Sequence, residues 1–450
     1  MVDDIRDAVR QVLPGVRADL EALVRIPSVS ADPGRHGEVR RSAEATARLF
    51  GEAGFPDVQI LSAGSGQPAV VARRPAPDGA PTVLLYAHHD VQPEGAHADW
   101  ATDPFEPTEH DGRLYGRGAA DDKAGIAVHL AAIRAHETVA GRDGPPVGVT
   151  VFVEGEEEIG SPSLAEFLEA YRDRLAADVI VIADAVNWQV GTPALTTSLR
   201  GLVNCVVEVR ALEHAVHSGM YGGPIPDALT ALTRLLATLH DEDGNVAVEG
   251  LSSGRAADLE LSEKRLRSES SMLDGVRLIG SGSLVDRLWA RPAIAVLAVD
   301  APRVAEASNT LIPSARAKIS LRVAPGDDAE AAYAAMIRHL EGHAPWGVQV
   351  RVSDPEIGEP YAVRADTAPY DAARSAFREA WDGTDPVDMG TGGSIPFIAA
   401  FAEACPEAAI LITGVEDPDT RAHGANEGLH LAEFERACLA EALLLDKLAE

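Results

Sequence analysis

The chain is 450 residues long, 46% of them hydrophobic and 24% charged, with a formal net charge of −31. That length allows two domains around sizeable cores, and the composition is that of an ordinary globular protein. So acidic a chain offers no basic face to a nucleic acid, and its excess of carboxylates reads as a solvating surface.

The N-terminus, Met1-Val2-Asp3-Asp4, is acidic and lacks a long apolar run, so neither a signal peptide nor a membrane anchor is expected. Ile5, Val9, Val12, Val16, Leu20 and Leu23 recur at helical spacing and predict an amphipathic helix that stops near Pro27. A second helix is predicted over 42–53, closed by Gly54, followed by strands at 58–61 and 70–73. Next comes Val83-Leu84-Leu85-Tyr86-Ala87-His88-His89-Asp90, an apolar run the length of a buried strand that breaks into two imidazoles and a carboxylate. Strand alternation turns His89 away from His88.

A loop rich in Asp, Pro and Gly leads to Tyr115-Gly116-Arg117-Gly118-Ala119-Ala120-Asp121-Asp122-Lys123-Ala124-Gly125, and Ile126, Leu130 and Ile133 continue as a helix. Asp121 falls at or just before that helix, where free N–H groups suit a carboxylate. A plain N-cap is the alternative for such a residue, but the glycines around it favour close approach to something else. The strand Val149-Thr150-Val151-Phe152-Val153 empties into Glu154-Gly155-Glu156-Glu157-Glu158, ahead of a helix over 164–175. Val179-Ile180-Val181-Ile182-Ala183 ends on Asp184, and Ile410-Leu411-Ile412-Thr413 leads towards His423. Four apolar strands tipped with carboxylates and imidazoles read as one metal centre at the carboxyl edge of an α/β sheet.

Beyond Arg200 the pattern changes. Val203, Cys205, Val207 and Val209 alternate with other residues as in a half-exposed strand. A helix at 225–239, a polar stretch at 241–286, strands at 294–299 and 317–323, a helix at 329–340 and a strand at 348–352 follow. This order is the split βαβ, or ferredoxin-like, arrangement. The expected fold is therefore α/β: a doubly wound catalytic domain (1–198 and 354–450) with an inserted α+β domain (199–353). The catalytic part resumes with a helix at 369–381, the Gly390-Thr391-Gly392-Gly393-Ser394 loop and a last helix from 431. Cys205, Cys405 and Cys438 have no C-x-x-C spacing and are expected to be reduced thiols of a cytoplasmic protein.

His88, Asp121, Glu158, Asp184 and His423 are the candidate ligands. An all-nitrogen and oxygen set suits zinc, with manganese or cobalt as competitors. So many carboxylates exceed one tetrahedral site, whereas two ions sharing one carboxylate would use them all. Asp90 fits as the partner that fixes the His88 imidazole. Glu157 would be the free carboxylate that takes a proton from the attacking water and passes it to the leaving nitrogen. With Glu156 in the same run, a shift of one place in that assignment stays open.

The stretches YAHHDVQP (86–93), YGRGAADDKAG (115–125), EGEEEIGS (154–161), GGSIP (392–396) and AHGANE (422–427) resemble the zinc exopeptidase family of carnosinases, bacterial dipeptidases, aminoacylases and desuccinylases. The resemblance covers nearly the whole chain in the family's motif order, and it departs from the pattern at Met389-Gly390-Thr391. It implies His88 and Asp184 on one zinc, Glu158 and His423 on the other, Asp121 bridging them and Glu157 as general base. It also implies that the inserted domain is a lid that forms a homodimer and sends His217, rather than the nearby His214, into the partner's site to stabilise the oxyanion. Arg322 would grip a C-terminal carboxylate, and Thr310 and Ser394 would line the substrate site. The expected activity is hydrolysis of dipeptides or very short peptides with a free carboxyl end, with N-acyl or N-carbamoyl amino acids as the alternative substrates. A non-catalytic scaffold would have lost a ligand or the base, and all six positions are filled.

Overall fold

The computed structural model describes residues 2–139, 144–393 and 396–450. Contacts divide the chain into two compact units: Met1–Thr197, Val363–Met389 and Ala400–Glu450 form the first, and Ser198–Ala362 and Gly390–Ala399 the second. In chain order the first unit supplies strands β1 (Asp57–Leu61), β2 (Ala69–Arg74), β3 (Thr82–His88), β4 (Gly148–Glu154), β5 (Val179–Ile182) and the greater part of β6 (Ala194–Leu199), whose last two residues are counted with the second. The second supplies β7 (Gly201–Arg210), β8 (Ala293–Asp300), β9 (Ser314–Val323) and β10 (Gln349–Gly358), and the chain returns to the first for β11 (Ala409–Ile412). The main helices are α1 (Val2–Val24), α2 (His36–Glu52), α3 (Lys123–Thr138), α4 (Ala228–Ala237), α5 (Ala329–Gly342), α6 (Ala368–Ala380) and α7 (Leu431–Leu448).

The first unit is a mixed sheet in the order β1-β2-β4-β3-β5-β11-β6. Its centre, β4-β3-β5-β11, is parallel, and antiparallel pairs flank it at β2/β4 and β11/β6. The parallel strands are continuous apolar runs because both faces are covered. On one face Tyr86, Phe152, Phe167 and Phe401 form an aromatic cluster with ring centroids 5.1–5.9 Å apart. Val83, Leu85, Val151 and Val153, alternate positions of the same strands, join the apolar core of α1, α3, α6 and α7. In α1, Ile5, Val9, Val16, Leu20 and Leu23 are buried. The helix predicted over 42–53 begins earlier, at His36, because the Asp32 side chain caps a short turn, Pro33–Arg35, that leads into it.

The second unit is an antiparallel sheet in the order β8-β9-β7-β10. Burial alternates along β7, and Val203, Cys205, Val207 and Val209 meet Leu232 and Leu235 of α4 and Met336 and Leu340 of α5. β10 does not stop near 353 but continues, past a register shift, to Gly358 opposite Leu202, which carries the unit on to Ala362. Within the polar stretch that follows α4, a helix at Glu263–Glu269 is capped by Ser262. Among the described residues no helix is long and apolar enough to cross a membrane.

Candidate metal centre

All the predicted ligands lie in the first unit, at the carboxyl ends of its four parallel strands or in the loop before α3. His88 is the last residue of β3, and its Nε2 stands 3.1 Å from Asp121 Oδ1 and 3.9 Å from Asp184 Oδ2. The other oxygen of Asp121 is 3.1 Å from His423 Nε2, which is also 3.3 Å from Glu158 Oε2. Two donor triads result, His88–Asp121–Asp184 and Asp121–Glu158–His423, each with its ligand atoms within 4.8 Å of one another. Asp121 belongs to both.

Local structure decides which neighbour does what. Asp122, not Asp121, caps α3: its side chain accepts the Gly125 N–H and also the backbone N–H of His88. Asp121 is thereby left free to face the imidazoles. His89 turns the other way, its Nε2 2.8 Å from Pro68 O, and burial holds its pKa down at about 4. Gly155 sits against that ring, where a Cβ would lie 2.8 Å from it. Glu156 is committed to the Gln67 N–H and to the backbone and hydroxyl of Ser163. Glu157 has no such tie, and its Oε2 is 4.0 Å from His88 Nε2.

Asp90 holds the two halves together. Its carboxylate accepts the backbone N–H of Glu157 at 3.2 Å and of Glu158 at 3.1 Å, and its carbonyl oxygen is 3.0 Å from His88 Nδ1. The Nδ1–H that donates there leaves Nε2 as the ligand atom facing the carboxylates. Gln92 donates to both oxygens of Glu158, at 2.9 and 2.7 Å.

The charges are crowded. Burial, and then the neighbouring carboxylate Asp122, pushes the Asp184 carboxyl well up; burial also lifts Glu157 to about 7. Hydrogen bonds to Asp121 and Glu158 raise His423 to about 10, while His88 stays raised against its own burial through Asp121 and Asp90. Carboxylates that share protons with imidazoles in a shielded site are the environment a divalent cation relieves. The donor set, oxygen and imidazole nitrogen without thiolate, fits such an ion.

One pair escaped the sequence reading. Glu427 is fully buried and accepts the N–H groups of Gly118, Ala120 and Asp121 at 3.0, 2.9 and 3.2 Å, together with Arg117 Nη1 at 2.7 Å. Arg117 also donates to the carbonyl of Gly424, beside His423. The only signal for it was a glutamate closing the AHGANE stretch.

The remaining predicted residues belong to the second unit or fall outside the described residues. His217 and Thr310 are cross-strand partners in a short two-stranded ribbon, and His217 Nδ1 accepts the Gly219 N–H at 3.0 Å. His217 and His214 are both exposed. Arg322 lies on β9, half-buried, opposite Leu202. Ser394 lies outside the described residues.

Comparisons with known proteins agree with this architecture. The chain is 38% identical over 371 residues to a cysteinylglycine-S-conjugate dipeptidase of Corynebacterium striatum, covering 81% of each. It is 29% identical over 430 residues to the Beta-Ala-His dipeptidase of Homo sapiens, covering 91% of this chain and 82% of that one. The crystal structure of human carnosine dipeptidase 1 superposes with a TM-score of 0.81 at 25% identity, over 100% of this chain and 98% of that chain. Residues 84–447 match the model of peptidase family M20/M25/M40. With the mixed α/β fold and the converging donors, the chain belongs to that family of metal-dependent hydrolases.

Proposed function

We propose that the protein is a dipeptidase that holds two divalent cations, zinc in the first instance, and cleaves dipeptides or very short peptides with a free carboxyl end. The observation that carries this reading is Asp121 facing both donor triads, one oxygen to His88 and the other to His423. His88 and Asp184 would hold one ion and Glu158 and His423 the other, with Asp121 between. Ions bound there would polarise the scissile carbonyl and make a water nucleophilic at neutral pH.

The chain's own residues do the rest. Glu157, which makes none of the hydrogen bonds that hold Glu156 and lies 4.0 Å from His88 Nε2, accepts the proton of the attacking water and returns it to the leaving nitrogen. Asp90 orients His88 and fixes the backbone of Glu157 and Glu158. Arg322 donates to the substrate carboxylate, with Thr310 and Ser394 beside the substrate, and His217 of a second copy supports the oxyanion. A homodimer through the inserted lid domain is supported by β8. It is the edge strand of its sheet, and Val296, Leu297 and Val299 on it are 45%, 56% and 46% exposed. An apolar edge of that kind pairs readily with a second chain. Three unpaired cysteines, two of them buried, support a cytoplasmic location.

The test is hydrolysis of a panel of dipeptides, their C-terminal amides and N-acetyl amino acids by metal-free protein reloaded with zinc, manganese or cobalt. Cleavage of dipeptides with their amides spared is the expected outcome. Cleavage of the N-acetyl compounds instead would move the enzyme to acylamino-acid hydrolysis.

A further inference from the structure

Two arginines of the second unit have no acidic partner among the described residues. Arg322 is half-buried and makes no hydrogen bond or ion pair among the described residues. Arg200 is only 8% exposed, and every acceptor it finds among the described residues is a neutral carbonyl. Its Nε donates to Gly392 O at 3.2 Å, and its Nη1 to Arg287 O and Arg291 O at 3.4 and 3.3 Å. The register pairs Arg322 with Leu202, two residues beyond Arg200, which stands just ahead of β7. Burial, and then the charge of Arg322, pulls the Arg200 pKa down to about 10, while burial alone lowers that of Arg322.

Carbonyls accept from Arg200 Nε and Nη1 but leave its charge uncompensated among the described residues. A shielded cation without a counter-charge is unfavourable, and a second one nearby makes it more so. The nearby glycine loop is shaped to the same guanidinium. Arg200 N–H donates to Thr391 O, and a Cβ on Gly392 would lie 2.8 Å from Arg200 Nη2 and 3.2 Å from Leu288 O. A side chain at Gly392 would crowd that guanidinium.

We propose that Arg200 and Arg322 form one anion site for a substrate carboxylate, in which Arg322 donates the direct contact and Arg200 supplies a second positive charge while fixing the 390–393 loop. Arg200 is thus a positioning residue that sets the preference for a free acid over its amide. The inference rests on the dipeptidase reading given above.

The experiment uses the metal-loaded Glu157→Ala enzyme, which binds substrate without cutting it, and measures affinity for a dipeptide and for its C-terminal amide by calorimetry. Adding Arg200→Met should weaken dipeptide binding about tenfold or more, the loss of one charged interaction, and weaken binding of the amide, which feels only the loosened loop, by clearly less. In otherwise wild-type enzyme the same change should raise KM with kcat nearly constant. Arg200→Lys, which keeps the charge and is the variant to use if the methionine does not fold, should retain the preference for the acid. Equal losses for acid and amide, a fall in kcat at constant KM, or loss of the preference in Arg200→Lys would each overturn the proposal. Failure of the dipeptidase reading shows separately, as a wild-type enzyme that cuts no dipeptide. An N-acetyl amino acid and its amide then replace the dipeptide pair, because they pose the same choice between carboxylate and amide.

Discussion

Arg117 and Glu427, 310 residues apart in the chain, meet at 2.7 Å in an ion pair almost wholly shielded from solvent. The same glutamate holds the backbone N–H of Asp121, and the same arginine holds a carbonyl next to His423. The pair therefore ties the shared carboxylate to the loop that brings the last imidazole. Glu427→Gln leaves the arginine buried and unpaired, a change expected to destabilise the fold by about 3–5 kcal/mol. Chemical denaturation and metal titration should both register it; an unchanged denaturation midpoint would refute the role.

Glu157→Gln removes the proton carrier while leaving both donor triads in place. Turnover should fall by about 10²–10⁴-fold, the usual worth of a general base. Metal content, read by atomic spectroscopy, should stay at the wild-type value. Loss of metal along with activity would instead make Glu157 a ligand.

Asp90→Asn keeps the carbonyl that orients His88 but replaces one of the two acceptor oxygens by an N–H₂ group facing a backbone N–H. The Glu157–Glu158 turn then loses a tether. Metal affinity should drop about 10- to 100-fold, as for other groups that orient a ligand. A competition titration against a coloured chelator would measure it, and an unaltered affinity would remove Asp90 from the design.

Metal uptake should depend on pH in a definite direction. Without metal, His423 titrates at about 10 and His88 is raised as well, so both imidazoles are protonated at neutral pH. Only the neutral ring can ligate, so binding must expel protons and affinity must rise with pH. Calorimetry in buffers of different ionisation enthalpy should show that release; its absence at neutral pH would contradict the assignment of these histidines as ligands.

His217→Ala alone should be inactive or nearly so. If His217 serves the other copy, mixing it with Glu157→Ala chains should restore part of the activity through hybrid dimers. No recovery after demonstrated subunit exchange would place His217 in its own chain's site or outside catalysis.

Strand ends were legible because burial on both faces demands an unbroken apolar run, so a sudden His or Asp marks the sheet edge, as at His88 and Asp184. The three consecutive glutamates were not separable by pattern. What distinguishes them is contact with Gln67 and Ser163 for Glu156, and with Gln92 for Glu158, partners far away in sequence. Whether Asp121 was only an N-cap stayed open until the helix start fell at Lys123 and gave the cap to Asp122. Glu427 and Arg117 were invisible as a pair, since nothing local couples positions so far apart. The end of β10 was missed because its register shift interrupts the alternation that sequence reading depends on.

The two triads also differ in when a ribosome completes them. The donors His88, Asp121 and Asp184 have all been made well before His423, for which the other triad waits. A chain that ends between Asp184 and His423 thus carries one complete donor set and never the pair.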